Sequence, residues 1–369
     1  MIDLFKDRKV DLPDTIGSYK REDVIFLLKD ISNLITETST EDREEVIQGG
    51  GHYSEMLPVE YKPSQKYMDY YYKSMESFAD RLAIAVGNIS EEIYEKSGKD
   101  VVLVSLARAG TPFGILVKRY IKNKYNVDIP HYSISIIRGK GIDENAMIYI
   151  IKNHGTNIQF IDGWTGKGTI IRVLNKALRE FENKYGIKIN EELAVAADPG
   201  YFTNLSGTRE DLMIPSACLN STISGLISRT VHRDDLISGN DFHGVKYYKE
   251  LLEEDLSNSF VDEITEKFIY EKSELADKER FCSSDNFQRG LTDIERIKED
   301  FQVKDVNFIK PGIGETTRVL LRRVPWKILL NPAKTHDLDH ILILAKEKGV
   351  EVVEYHLDSY QCCGIIKSV

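Results

Sequence analysis

Asp162, Thr165, Lys167 and Thr169 lie close together in the stretch Asp162-Gly163-Trp164-Thr165-Gly166-Lys167-Gly168-Thr169. The apolar run Ile158-Gln159-Phe160-Ile161 precedes it, and a helical pattern starts at Ile170. These residue types suit a phosphate. Glycines let the backbone approach closely, and amide hydrogens at a helix N-terminus point at an anion that the helix dipole favours. Asp162 at the strand end could hold sugar hydroxyls or a metal ion.

Two familiar phosphate loops do not fit. The nucleotide P-loop needs four residues between its first Gly and the Gly-Lys pair. Here only Trp164 and Thr165 separate Gly163 from Gly166-Lys167, and the dinucleotide fingerprint G-x-G-x-x-G is absent. The stretch resembles the phosphoribosyl pyrophosphate (PRPP) loop of type I phosphoribosyltransferases, with Ile161 in the place of one of the usual two acids. A second turn, Ala107-Arg108-Ala109-Gly110-Thr111-Pro112, follows the strand Val101-Val102-Leu103-Val104. It resembles the pyrophosphate loop of the same enzymes. Arg138-Gly139-Lys140-Gly141 reads as a basic loop that would close over the ligand.

The elements that carry these turns alternate. Strands are expected at 101–104, 129–137, 157–162 and 194–197, and helices at 68–93, 113–121, 143–152 and 168–185. Asp143 is the expected cap of the third helix. Strands alternating with helices imply a parallel, doubly wound sheet, which binds ligands beyond the carboxyl ends of its strands. Residues 1–75 read as an N-terminal extension packing on the core, with one short apolar piece at 23–28 and a glycine run at Gly49-Gly50-Gly51. Residues 76–245 form the main α/β domain. Residues 246–300 are a charged helical connector. From 301 to 369 the alternation resumes as a small α/β domain, with strands at 306–309, 327–330 and 350–355 and a helix stopped by Gly349.

Composition sets outer bounds. The chain has 369 residues, 41% hydrophobic content and a net charge of −10. That charge argues against non-specific nucleic-acid binding by the whole molecule. No apolar run is long enough to span a bilayer, and residues 1–9 lack the apolar core of a secretion signal. Four cysteines are too few for a disulfide framework in a chain of this length, so a reducing cytoplasm is expected.

Charge is not evenly spread. Between 308 and 334 the basic residues are Lys310, Arg318, Arg322, Arg323, Lys327 and Lys334, against the single acid Glu315. Such a patch is an electrostatic footprint for phosphates. Pro311-Gly312-Ile313-Gly314-Glu315 resembles the glycine turn with which Pelota-like domains contact RNA. Together with Gly17-Ser18-Tyr19, His52-Tyr53-Ser54-Glu55-Met56-Leu57-Pro58 and Ile214-Pro215-Ser216-Ala217-Cys218-Leu219-Asn220, these strings carry a wider resemblance. The chain resembles, over nearly its full length, a bacterial phosphoribosyltransferase family with a C-terminal Pelota-like RNA-binding domain. That family occurs in tellurium-resistance and stress operons, and some members carry the label cysteine protease StiP.

The resemblance implies a type I phosphoribosyltransferase-like parallel sheet and PRPP-dependent transfer to a base or related acceptor. Asp162 would hold the ribose hydroxyls and Mg²⁺. Thr165, Gly166, Lys167, Gly168 and Thr169 would take the 5-phosphate. Arg108, Gly110 and Thr111 would take pyrophosphate, with Lys140 closing the site. Asp198, Asp211 or Asn220 would meet the acceptor, and His52 and Glu55 would enter from the N-terminal extension. Lys310, Gly312, Gly314, Arg318, Arg322 and Arg323 would bind RNA. A homodimer is compatible with the pattern. Two rival readings remain: a non-catalytic nucleotide-sensing RNA-binding regulator, and a cysteine protease using Cys218 with His232 or His243 as base.

Overall fold

The computed structural model describes residues 5–38, 52–271, 287–334 and 337–367. The Gly49–Gly51 run, Cys282 and part of the charged connector expected over 246–300 lie outside these residues.

The first domain is built on a six-stranded sheet in which every pairing is parallel. Its strands are β1 (Ile25–Leu27), β2 (Val102–Leu106), β3 (His131–Ile134), β4 (Ile158–Trp164), β5 (Leu193–Ala197) and β6 (Ser206–Thr208), in the order β1-β3-β2-β4-β5-β6. Helices α1 (Gln65–Ser97), α2 (Thr111–Tyr125), α3 (Glu144–His154) and α4 (Thr169–Tyr185) cover its faces. Alternate side chains of one strand serve opposite cores. Val101 and Leu103 pack in the core with α1 and α2, while Val102, Val104 and Leu106 pack in the core with α3 and α4. Ile161 against Phe160, and Ala194 against Val195, repeat the division. Strands buried on both faces read as continuous apolar runs, which is how these appear in the sequence.

Local signals account for several ends. The Asp143 carboxylate accepts the Ala146 amide at 3.1 Å and caps α3. Gly168, at φ 66°, ends the turn before α4; a Cβ there would stand 2.5 Å from the Phe202 ring. The expected apolar piece at 23–28 is not part of a separate extension. Its central residues form β1, the edge strand of the main sheet.

A second sheet follows the charged helices α5 (Ser257–Glu266) and α6 (Arg289–Asp300). Strands β7 (Ile309–Pro311), β8 (Pro325–Leu330), β9 (Glu351–Glu354) and β10 (Cys362–Ile366) lie in the order β7-β10-β8-β9. Here β8 and β9 are parallel, and β10 runs antiparallel to β7 and β8. Helices α7 (Ile313–Arg322) and α8 (Asp339–Lys348) cover the side facing the first domain. The strand expected at 306–309 starts three residues later, because the Asp305 carboxylate caps a short 3₁₀ turn over Val306–Phe308. Gly349, at φ 63°, stops α8 as expected.

The two domains share apolar interior. Ile313, Leu320, Ile341 and Leu344 belong to one contiguous cluster with Leu82, Ile214 and Ala217. One polar latch sits beside it. The buried Asp211 carboxylate accepts the Ile313 amide at 2.9 Å and the Gln361 amide at 2.8 Å. Burial raises its pKa to about 6, and these amide bonds pull it back. At pH 7.5 it is therefore an anion at the N-terminus of α7. Replacing Asp211 with Ala should lower stability by about 3 kcal/mol, the scale of two hydrogen bonds to a charged group. Urea unfolding at pH 7.5 measures this, and a loss below about 1 kcal/mol would mean that apolar contact alone holds the domains together.

Candidate functional site

Strand order reverses between β2 and β4, so the turns that follow them lie side by side at the edge where such sheets bind ligands. Glycine makes this proximity feasible. A Cβ on Gly110 would stand 2.6 Å from the Ile161 carbonyl and 2.9 Å from that of Leu106. The sequence reading thus places Arg108 and Asp162 at the correct edge, but the C-terminal domain sits on that edge.

The turn after β4 is occupied by protein. The Gly166 carbonyl accepts the Tyr360 hydroxyl at 2.6 Å. Lys167 Nζ donates to the Val306 and Ile309 carbonyls at 2.6 and 3.2 Å. Burial and neighbouring Lys310 lower its pKa to about 8. Thr165 Oγ1 accepts the Gly168 amide at 3.0 Å, and Thr169 Oγ1 accepts Arg172 at 3.3 Å. The space left between this turn and Pro311, Gly312 and Glu315 is about 20 Å³. That holds about one water molecule and no sugar phosphate.

The other expected ligands are engaged as well. Arg108 donates to the Ile227 carbonyl at 3.0 Å and lies 3.6 Å from the Glu60 carboxylate. Thr111 Oγ1 is 2.8 Å from Ser133 Oγ in the interior. Lys140 pairs with Glu55 at 2.9 Å and donates to the His232 carbonyl at 3.0 Å. His52 Nδ1 is 2.8 Å from Ser54 Oγ. Asp198 is a buried partner of Arg209 at 2.5 Å, and Asp211 is the latch described above. Asp211 also lines a cleft of about 900 Å³ with Arg81, Arg209 and Lys334, but its carboxylate oxygens are taken up by the Ile313 and Gln361 amides. Among the described residues, no group of three or more His, Cys, Asp or Glu side chains is placed to hold one metal ion.

Several residues expected to contact RNA instead join the domains. A Cβ on Gly312 would stand 2.9 Å from Asp211 Oδ1, and one on Gly314 would stand 3.7 Å from the Ala217 side chain. Arg318 pairs with Glu315 at 3.2 Å and its charge reaches Asp162. Arg322 donates to the Cys218 carbonyl and to Asn220 Oδ1. Burial, with Arg318 and Arg108 nearby, lowers the Arg322 pKa to about 10. Arginines from both domains thus converge around the switch point. Asp162 accepts the Gly163 amide at 2.8 Å, and burial lifts its pKa to about 7.

Cys218 ends a 3₁₀ turn over Pro215–Cys218 and is 1% exposed. Burial raises its pKa to about 11, against a smaller lowering by Ser74 of α1. The histidines expected to serve it lie elsewhere. His243 Nδ1 is 2.7 Å from Ser135 Oγ, and the His232 ring stacks edge-on against His243 at 4.6 Å. The sequence reading missed His340, in the first turn of α8. It shares with Cys218 a cavity of about 210 Å³ that Ser74, Met213 and Asp337 also line. His340 Nε2 is 3.0 Å from Thr317 Oγ1, and its pKa is lowered by burial against a hydrogen bond to the Asp337 backbone. More than a hundred residues separate the pair in sequence, so only tertiary packing reveals it. Among the described residues, no histidine ring hydrogen-bonds the Cys218 thiol.

The architecture defines an α/β protein with a parallel sheet, capped by a small α/β domain. Residues 288–368 match the Pelota RNA-binding domain, and residues 17–265 match the family described as tellurite-like stress resistance cysteine protease StiP. The chain is 33% identical to the cysteine protease StiP of Acinetobacter baylyi (strain ATCC 33305 / BD413 / ADP1), over 96% of this chain and 94% of that protein. The chain therefore belongs to the StiP family. Membership overturns the expected phosphoribosyl transfer, since the family is named for a cysteine protease, a different enzyme class. The plugged turn after β4 supplies a physical reason: what reads as a phosphate loop holds another domain.

Asp162 yields a test of the buried edge. Its carboxyl is raised in the fold from 3.8 to about 7. Such a group contributes stability that is fully present below its unfolded pKa and lost as pH rises through its folded one. Asp162→Asn should therefore raise the melting temperature more at pH 8.5 than at pH 5. Equal shifts at the two pH values would mean that Arg318 and the Gly163 amide satisfy the anion.

Proposed function

We propose that this protein is a cysteine hydrolase acting on peptide bonds in stress resistance, with an RNA-binding domain fused to it. The observation that carries the reading is that Cys218 is the one cysteine within the residues that match the family, 17–265. A cysteine protease needs a thiolate, a base and an orienting group. His340 is the base in this reading, and the Asp337 backbone orients its ring.

In the proposed reaction His340 takes the Cys218 proton and the sulfur attacks a peptide carbonyl. The tetrahedral adduct collapses, the amine leaves with the proton from the imidazolium, and a thioester forms. Water then cleaves the thioester and restores the thiol. The form described here is a resting one, because a thiol raised to about 11 and 1% exposed is a poor nucleophile. Substrate reaches the sulfur only when the turn over Pro215–Cys218 loosens from α1 and α7. Arg322, which donates to the Cys218 carbonyl from the second domain, is the clamp that must yield.

Cys218→Ala should abolish cleavage of an unfolded protein substrate, and His340→Ala should lower kcat by roughly 10⁶-fold, the scale of losing the base of a triad. Melting curves establish that both variants fold. Wild-type turnover by Cys218→Ala would remove the assignment.

A further inference from the structure

A groove of about 1180 Å³ runs between the two domains and, like the cavity that His340 lines, reaches Cys218. One wall is the segment Val59–Pro63 of the first domain, and the other is formed by the ends of α7, α8 and β10. Six cations line it, Lys62, Lys310, Arg322, Arg323, Lys348 and Lys367, with Lys62 paired to Glu254, and the one acid in the lining is Glu60. Glu60 is neutralised locally: it accepts the Ser221 amide and hydroxyl, and Arg108 stands 3.6 Å away. Lys310, Arg323, Lys348 and Lys367 form no ion pair with a described residue. In a chain of net charge −10 this is a strong local reversal.

The groove also has a ring to offer. Tyr61 is 75% exposed beside Lys62, whose side chain is 68% exposed, and Val324 on the facing wall is 63% exposed. An open aromatic ring beside a cationic track is how proteins seat unpaired bases, by stacking while the cations follow the backbone. The glycine turn expected to meet RNA is buried against Asp211 and Ala217, whereas this groove of the second domain stays open.

We infer that single-stranded RNA lies in this groove and that the first domain supplies part of the seat, with Tyr61 stacking on a base. The inference rests on the RNA-binding part of the proposed function and is independent of the hydrolase part. The two walls grip one strand. Lys348 and Lys367 follow its phosphates, and Tyr61 closes on it from the opposite side.

The test is fluorescence anisotropy of the full chain with a labelled single-stranded oligoribonucleotide of about ten nucleotides, within the span of comparable sites. Tyr61→Ala should weaken binding about tenfold, and Tyr61→Phe should keep it. Lys348→Gln with Lys367→Gln should reduce the slope of log affinity against log salt by about 1.4, the single-strand value for two phosphates. Melting curves check that the variants fold. Wild-type binding that is unchanged in all three variants overturns the shared groove and leaves RNA binding standing. Tighter binding of a duplex than of the single strand overturns the stacked seat. No binding by the wild type overturns both this inference and the RNA-binding reading.

Discussion

The arrangement depends on one buried carboxylate. Asp211 follows the last strand of the first sheet and accepts amides from two places in the second domain, the start of α7 and the residue before β10. It caps α7 from another domain, where the usual cap would come from the residue before the helix. Gly312 occupies that position at φ 92°, and any side chain there would strike Asp211. Once the helix is set in this direction, its apolar face meets α1 and the turn over Pro215–Cys218. Its basic residues are then directed at Asp162 and Cys218.

This docking decides what the switch point can do. In an open sheet, the crevice beyond β2 and β4 would receive a ligand. Here Tyr360, Lys167 and Pro311 close the turn after β4, and the converging arginines are held by carbonyls, Asn220 and Glu315. The electrostatics persist although the space does not. Asp162 stays high in pKa and Arg322 low because desolvation makes charge costly at both. The edge is therefore a strained electrostatic joint, stabilised by apolar contact and by the Asp211 anion.

Much of the fold was legible in the residues. The apolar runs of β2, β4 and β5 and the period of α1 and α4 correspond closely to the observed elements, and Asp143 and Gly349 punctuate them as local chemistry predicts. Ile25–Leu27 was not legible as a sheet strand, because its partner β3 is about a hundred residues away. The phosphoribosyl-transfer reading failed for a more instructive reason. Glycine in a turn permits close approach of something to backbone, and the residue cannot say what approaches. At Gly110 it is the Ile161 carbonyl, and at Gly312 it is Asp211. The same pattern would serve a phosphate. His340 carried no sequence signal as a partner of Cys218, since their shared cavity exists only once α8 packs near α1.

Net charge and local charge now have separate meanings. The chain as a whole carries an acidic surplus that repels polyanions at a distance, so a field of opposite sign inside one groove gains contrast. Burial sharpens the contrast. Arginines turned inward at the joint spend their hydrogen bonds on protein carbonyls and cannot reach a solvent-borne phosphate, whereas Lys348 and Lys367 on the rim keep theirs. A basic count along the sequence, as between 308 and 334, mixes these two populations. The fold separates them: one set of cations fastens the domains, and the other is left for whatever enters between them.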